Sequence, residues 1–396
     1  MPRNPNKIDY SAGFPPFFSA FSSLEDPRCG GNTKHHFGEV IFMAFTCILC
    51  GINSYEDMED FCEANEIWFS KFLEIPNGIP SYNTFSRIFE AIPPDEFAQC
   101  ILFHLESANC DLENRHIAID GKCLKGSSNT QDKHIHSVSA WACDKGLTLG
   151  QTFVANKSNE IKAIPELLKK LNIQNTVVSI DAMGTQTEIA DLIIERKADY
   201  LLAVKGNQKS LLDEINDHFN FALAQLNKKK LNPDNWSSFE TKELSRGRDE
   251  IRKTLVCHNL EWMSKSIRNR WKELNCIILV YRHTNLEDGS QRSQASYYIS
   301  SLKDVKASKI EQYVRNHWNI ENCCHWILDA IFREDSIQVS KRNAAKNLAT
   351  ARRIALNILK QSPEISKRKK PASISKKQFQ AAINTTYRET CLGIVP

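Results

Sequence analysis

The sequence predicts a mixed α/β fold: a sheet flanked by helices, preceded by a smaller helical unit and interrupted late by a strand-rich segment. Three observations predict it. The first hundred residues carry apolar side chains at three- and four-residue spacing, which is the period of a helix with one buried face. From His116 short β-branched runs take over, first as three closely spaced strands and then in alternation with helical stretches, the pattern of a sheet covered by helices. Residues 228–302 return to strands with no helix between them, and helical spacing resumes at Val305.

Helices are expected over 38–49, 55–65, 67–73 and 82–91, parted by Gly51, by Pro76, Asn77 and Gly78, and by Pro80, residues that punctuate helices. Strands 116–120, 135–143 and 147–155 follow, with Gly146 in the last turn; so little chain between them predicts three consecutive antiparallel strands. A helix over 160–171, a strand over 177–181, a helix from Thr185 opened by a Thr185 and Glu188 capping box, a strand over 200–204 and a helix over 211–226 complete the order βββαβαβα. Lys228, Lys229, Lys230 and Pro233 mark a boundary, after which 241–244, 251–257, 274–281 and 295–300 read as strands. Helical periodicity returns over 305–328 and 344–359, and Lys367, Arg368, Lys369 and Lys370 follow. The chain therefore divides into a helical unit (1–113), an α/β unit (114–360) holding a β-rich insertion (228–302), and a basic C-terminal tail (361–396).

Charge separates these units. Residues 1–113 hold 6 Lys and Arg against 17 Asp and Glu, a net of −11; of the chain's 51 basic and 47 acidic side chains, 45 and 30 remain for residues 114–396, a net of +15. A phosphate backbone is drawn to clustered Lys and Arg, so a nucleic acid is expected on the later part. Glu56, Asp57, Glu59, Asp60, Glu63 and Glu66 crowd the second helix, which argues against that helix entering a DNA groove. Thirteen scattered cysteines, an odd number, fit a reducing cytosol better than a disulfide framework. Cys47 and Cys50 form a lone CxxC within an apolar run and read as buried structural thiols. No basic-then-apolar leader opens the chain. The longest apolar run, Val40 to Ile52, falls short of the roughly 20 residues a bilayer span needs. A cytoplasmic protein with no membrane association is expected.

Three carboxylates carry the chemistry. Asp120 ends the apolar run from His116, Asp181 ends Val177 to Ile180, and Glu321 lies in a helical stretch rich in Trp and His. Acids at the ends of neighbouring strands, with a third from a packed helix, suit hard divalent ions such as Mg²⁺, and a pair of such ions is a means of breaking a phosphodiester. A strand-end Asp before Gly also forms turns, so either Asp alone has a plain structural reading. On a regular helix His317, Glu321 and His325 share one face; with Cys324 they could instead form a soft-metal site, but four well-spaced zinc ligands are not apparent. A buried helix with satisfied histidines is the other reading. Trp318 and Trp326 read most simply as core anchors, and as base-stacking residues if exposed. Lys122 and Lys125 follow Asp120, while Lys205, Asn207 and Gln208 follow a strand, placing candidate phosphate contacts beside the carboxylates. Glu160 reads as a helix-start residue or as a neighbour of the site.

Several stretches, taken in order, resemble one family. Ile117 to Lys122, Lys157 to Ile161, Ser179 to Gln186, Ala198 to Gln208, Tyr297 to Leu302 and His317 to Asp329, with Asp26 to Arg28 and Gly78 to Ser81 before them, are similar to the DDE insertion-sequence transposases described as H-repeat-associated. The likeness spans nearly the whole chain. It implies a ribonuclease H-like catalytic fold, a β-rich insertion before the last catalytic helix, an N-terminal associated helical domain and a triad on Mg²⁺, with Mn²⁺ as a substitute. Carried over position by position, the triad is Asp120, Asp181 and Glu321. Related transposases often place Tyr, Arg and Lys around the catalytic Glu; here Val314, His317 and Leu328 hold those spacings, with Tyr313 and Arg315 adjacent.

The resemblance implies binding of double-stranded DNA at inverted-repeat ends and target, metal-dependent 3′-end cleavage, strand transfer, and a homodimer or larger synaptic assembly at the nucleoid. Lys122, Lys125, Lys205, Asn207, Gln208, Arg315 and His317 are the DNA-binding candidates. A catalytically inactive DNA-binding descendant and a host nuclease of the same fold are the alternatives.

Overall fold

The structure is a computed structural model and describes residues 21, 24–28, 33–107, 115–127, 134–154, 160–226, 236–245, 248–339, 341–365 and 371–394. Five helices come first: α1 (Phe37–Leu49), α2 (Tyr55–Ala64), α3 (Glu66–Phe69), α4 (Tyr82–Ala91) and α5 (Pro94–Ser107). Every residue of α1 is buried, so it forms the middle of this layer. Helix α5 is not anticipated by the sequence reading, because Pro93 and Pro94 look like a terminator; a proline in the first turn loses no hydrogen bond and starts a helix well.

A nine-stranded mixed sheet follows, with spatial order β3-β2-β1-β4-β5-β9-β8-β7-β6. Its strands are β1 (His116–Leu124), β2 (Ile135–Ala142), β3 (Leu147–Val154), β4 (Val177–Ile180), β5 (Asp199–Val204), β6 (Trp236–Ser245), β7 (Arg248–Cys257), β8 (Cys276–Asn285) and β9 (Gln291–Ser300). The first three are antiparallel as expected. Strands β1, β4 and β5 are parallel neighbours, connected through α6 (Glu160–Lys170) and α7 (Thr187–Glu195). Strands β6 to β9 are longer than their apolar runs because their outer halves pair in solvent; positions 291–295 of β9 are all exposed. Helix α8 (Lys209–Leu226) precedes β6, and the short α9 (Lys265–Arg268) lies between β7 and β8.

The expected Thr185 and Glu188 capping box is corrected. Helix α7 starts two residues later, with Gln186 as a cap that makes no side-chain bond, because the Thr185 hydroxyl instead donates to the Ala203 carbonyl at 2.5 Å. The helix expected over 305–328 is also interrupted: α10 (Ala307–His317) gives way to a π turn (Glu321–His325) and then α11 (Trp326–Ala330).

Helix α12 (Arg342–Gln361) packs against α1, α4, α5 and β3 and joins the helical layer to the sheet. Residues 361–396, read as a basic tail, include two further helices, α13 (Ile374–Ile383) and α14 (Thr385–Cys391). They dock on the first layer: buried Arg388 donates to Asn65 Oδ1 at 3.0 Å and lies over the Trp68 ring, whose Nε1 donates to Glu389 at 2.8 Å. The basic cluster 367–370 lies outside the described residues. Among them, Cys47 and Cys50 are buried thiols as expected, and no helix is long and apolar enough to cross a membrane.

Candidate active site

Register brings the two aspartates together. Parallel pairing of β1 with β4 runs from His116 against Val177 to Ile119 against Ile180, so Asp120 and Asp181 are the next positions on adjacent chains, which stand about 4.8 Å apart in a sheet. Beyond that point β1 continues only against β2, and space opens where β4 has ended. Asp120 is thus within a strand, not at its end. A cavity of about 370 Å³ occupies the opening, lined by Asp120, Asp181 and Glu321 together with Ser179, Lys205, His317, Trp318 and residues of β5 and β9.

Local bonds fix the acids. Asp181 caps a short 3₁₀ turn, its Oδ1 accepting from the backbone N–H of Met183 at 3.2 Å and Gly184 at 3.4 Å. Asp120 Oδ1 accepts from the Gly121 N–H at 2.9 Å. Glu321 opens the π turn, where one extra residue per turn breaks the regular spacing; such turns recur at functional sites. The expected stripe of His317, Glu321 and His325 is therefore split. Glu321 is exposed to the cavity, His325 is buried with Nδ1 3.6 Å from Asp120 Oδ2, and His317 turns its Nδ1 to Ser179. Cys324 points into the core, 3.7 Å from Thr148 Oγ1, so the soft-metal arrangement does not form.

Burial, with Asp181, Glu321 and Glu160 nearby, pushes the Asp120 carboxyl up to about 7 against the pull of the Gly121 N–H. Burial holds His325 down at about 3 and His317 at about 4, so both rings are neutral. The site is rich in negative charge and short of positive charge, a donor set that fits divalent cations. Among the described residues, however, no three His, Cys, Asp or Glu side chains converge closely enough to enclose an ion. Asp120, Asp181 and Glu321 line the cavity instead of meeting at one point.

The candidate DNA contacts separate. Lys205 is exposed and lines the cavity. Lys122 is corrected: it is only 6% exposed and held by Asp329 at 2.6 Å, Asp335 at 3.1 Å and Glu334 at 3.2 Å, so it cannot reach a phosphate. Lys125 is exposed, 3.6 Å from Asp335. Asn207 and Gln208 donate to the carbonyls of Ala182 and Thr185. Arg315 pairs with Glu243 and lines a neighbouring cavity of about 720 Å³ with Arg252, Arg282 and Trp318. Trp318 and Trp326 are 55% and 60% exposed and are not core anchors; they flank Glu321 along its helix.

Sequence reasoning underweighted Glu160, a fourth carboxylate buried over Gly121 and paired with His136 at 3.2 Å. Its position at the start of α6 was the available signal. The contacts of Ser179 and His325 carry no such signal.

Residues 111–358 match the family described as Transposase DDE domain, and residues 18–105 match the one described as DDE_Tnp_1-associated. The chain is 33% identical to YncI of Escherichia coli O157:H7 over 94% of this chain and 93% of that one. It is 32% identical to YhhI, an H repeat-associated protein of Escherichia coli K12, over 94% and 96%. Both relatives are named provisionally as transposases. A cryo-EM structure of the piggyBac transposase synaptic complex with hairpin DNA is a distant match, 10% identical with a TM-score of 0.42, covering 94% of this chain and 77% of that one.

Proposed function

The chain belongs to the DDE transposase family, and from that premise we propose that it binds the inverted-repeat ends of an insertion sequence, cuts at their 3′ ends and joins them to target DNA by direct transesterification. Asp120, Asp181 and Glu321 are the proposed catalytic carboxylates and metal ligands. The observation that supports this most is the single cavity they line, with exposed Lys205 beside them. The strand order β3-β2-β1-β4-β5 supports a ribonuclease H-like core within 114–360, with 228–302 as its insertion and 1–113 as the associated helical domain.

The ion proposed is Mg²⁺, with Mn²⁺ as substitute. Bound at these carboxylates it would supply charge to polarise the scissile phosphate, acidify the attacking water or 3′-hydroxyl and stabilise the leaving oxygen. The protein's own groups position the DNA. Lys205 neutralises a phosphate, and Trp318 and Trp326 offer ring faces to unpaired bases on either side of Glu321. Lys125 and Arg315 serve the flanking backbone after exchanging their carboxylate partners for phosphate, while Asn207 and Gln208 shape the loop that carries Lys205. The acidic face of α2 repels DNA and leaves the helical layer free for assembly. Because two ends must be joined, a homodimer or larger synaptic complex is proposed, acting in the cytoplasm at the nucleoid.

The test is Mg²⁺-dependent cleavage of duplexes carrying the inverted repeats that flank the coding region. Asp120→Asn, Asp181→Asn and Glu321→Gln should each retain the circular dichroism spectrum and DNA binding while losing cleavage by about 10³-fold or more, as for groups that act only on the transition state. Undiminished cutting by any of the three removes that residue from the triad. Equal cutting of duplexes without the repeats would favour a nuclease.

A further inference from the structure

Ser179 sits between two histidines. Its Oγ is 2.7 Å from His116 Nε2 and 2.7 Å from His317 Nδ1. The serine is 3% exposed and His116 1% exposed, while His317 lines the carboxylate cavity. We propose that the chain His116–Ser179–His317 fixes the neutral His317 ring with its hydrogen on Nε2, presenting an uncharged N–H donor to a phosphate oxygen of DNA in that cavity. The role assigned to the phosphate rests on the transposase reading; the tautomer does not.

The direction of the chain follows from counting hydrogens. A hydroxyl carries one hydrogen and has acceptor lone pairs. Were both rings to donate to Ser179, its own hydrogen would be buried with no acceptor, since the two histidines are its side chain's partners among the described residues. One ring therefore donates and the other accepts.

His116 decides which. Among the described residues its Nδ1 is buried without a hydrogen-bond partner, and burial keeps the ring neutral. If Nε2 accepted from Ser179, the hydrogen of His116 would sit on Nδ1 as an orphaned buried donor, the rarer kind of defect in folded proteins. If Nε2 donates, Nδ1 is a bare nitrogen with no hydrogen left unpaired. Ser179 then passes its hydrogen to His317 Nδ1, and the neutral His317 must carry its own on Nε2, across the ring from Ser179. A neutral donor of this kind can hold a phosphate without pairing with Asp181 or Glu321, as a guanidinium would. His116 and Ser179 are positioning residues; the ring that meets DNA is His317.

The tautomer is read without DNA. In the full-length chain with ¹⁵N-labelled histidine, long-range ¹H–¹⁵N correlation spectra should show His317, assigned by its loss in His317→Gln, unprotonated at Nδ1 and protonated at Nε2. A His317 hydrogen on Nδ1 would mean that His116 keeps its own hydrogen on Nδ1, and overturns the proposal. Ser179→Ala should convert the signal to a mixture of tautomers.

The second measurement is affinity for a fluorescein-labelled DNA duplex without divalent ion, so that nothing is cut. His317→Ala should weaken binding about fivefold, the worth of one hydrogen bond, Ser179→Ala should weaken it by less because part of the rings keep the donating tautomer, and the double variant should lose no more than His317→Ala. Independent losses in the double variant, or unchanged affinity in His317→Ala, overturn the phosphate contact. Absence of DNA binding by the wild type would instead sink the transposase reading and leave the tautomer standing.

Discussion

Asp120 and Lys122 stand on the same face of β1, two residues apart, yet Asp120 opens onto the cavity while Lys122 is sealed away by Asp329, Glu334 and Asp335. Burial alone would lower the lysine's pKa, but the carboxylates outweigh it and raise it, so the charge is retained. All three acids follow Glu321 in the chain. Lys122 thus clasps the Asp120 strand to the segment that carries the third carboxylate.

Removing the clasp should destabilise the fold. Lys122→Met leaves buried Glu334 with Arg353, 3.0 Å away, as its remaining ion-pair partner, and loss of one partner from a buried charge cluster costs about 3–5 kcal/mol. Urea denaturation reads this directly. A loss below about 1 kcal/mol, the scale of a surface ion pair, would show that Lys122 is not a structural centre.

Asp120 should show the opposite behaviour. Its folded pKa of about 7 lies above the ordinary 3.8, so the protonated form suits the fold: the stability it contributes is complete below about pH 4 and lost as pH rises through 7. Above pH 7 the wild type bears the cost of a buried charge that Asp120→Asn does not. The variant should melt higher at pH 8 without divalent ion, by an amount that shrinks towards pH 4. Equal melting at pH 8 would contradict the burial and repulsion assigned to this carboxylate.

Two glycines near the site should respond unequally to a methyl group. A Cβ on Gly126 would run into the Ile337 carbonyl oxygen and lie 2.9 Å from that of Glu334, both backbone, whereas the nearest atoms to one on Gly121 belong to the Glu160 side chain, at 2.5 Å. Backbone cannot swing aside, so Gly126→Ala should be the more destabilising in thermal melts, by more than the roughly 1–3 kcal/mol of ordinary overpacking. Gly121→Ala should unfold less readily but displace Glu160 and reduce cleavage. The reverse order of stability would show that the loop before α12 yields more easily than Glu160.

Much of this fold was legible because side-chain period is a local property. β-Branched runs gave β1 to β5 within a few residues, and the same runs delivered Asp120 and Asp181 as their terminal acids. What escaped depends on contacts across long separations or on backbone geometry. Lys122 looked like a phosphate contact because nothing nearby in sequence announces partners more than two hundred residues away. The π turn at Glu321 has no apolar signature, so the regular spacing did not show that His325 would be buried beside Asp120 while Glu321 stays exposed. Helices α13 and α14 were hidden by the basic cluster before them, and their docking depends on Arg388, Trp68 and Asn65 meeting across the length of the chain.

Lys205 offers the cleanest test of where DNA lies. It is exposed and lines the carboxylate cavity, and among the described residues no carboxylate holds its ammonium, unlike Lys125 with Asp335 and Arg315 with Glu243. A residue that binds one phosphate releases about one counterion, and its removal lowers the slope of log affinity against log salt by roughly 1. Lys205→Ala in the full-length chain should flatten the slope by that amount and weaken binding alike for all duplex sequences. Lys122→Ala, where it folds, should leave the slope untouched because that charge is already paired with Asp329, Glu334 and Asp335. Unchanged slopes in Lys205→Ala would move the DNA path away from the end of β5, towards the arginine-lined cavity beside Trp318.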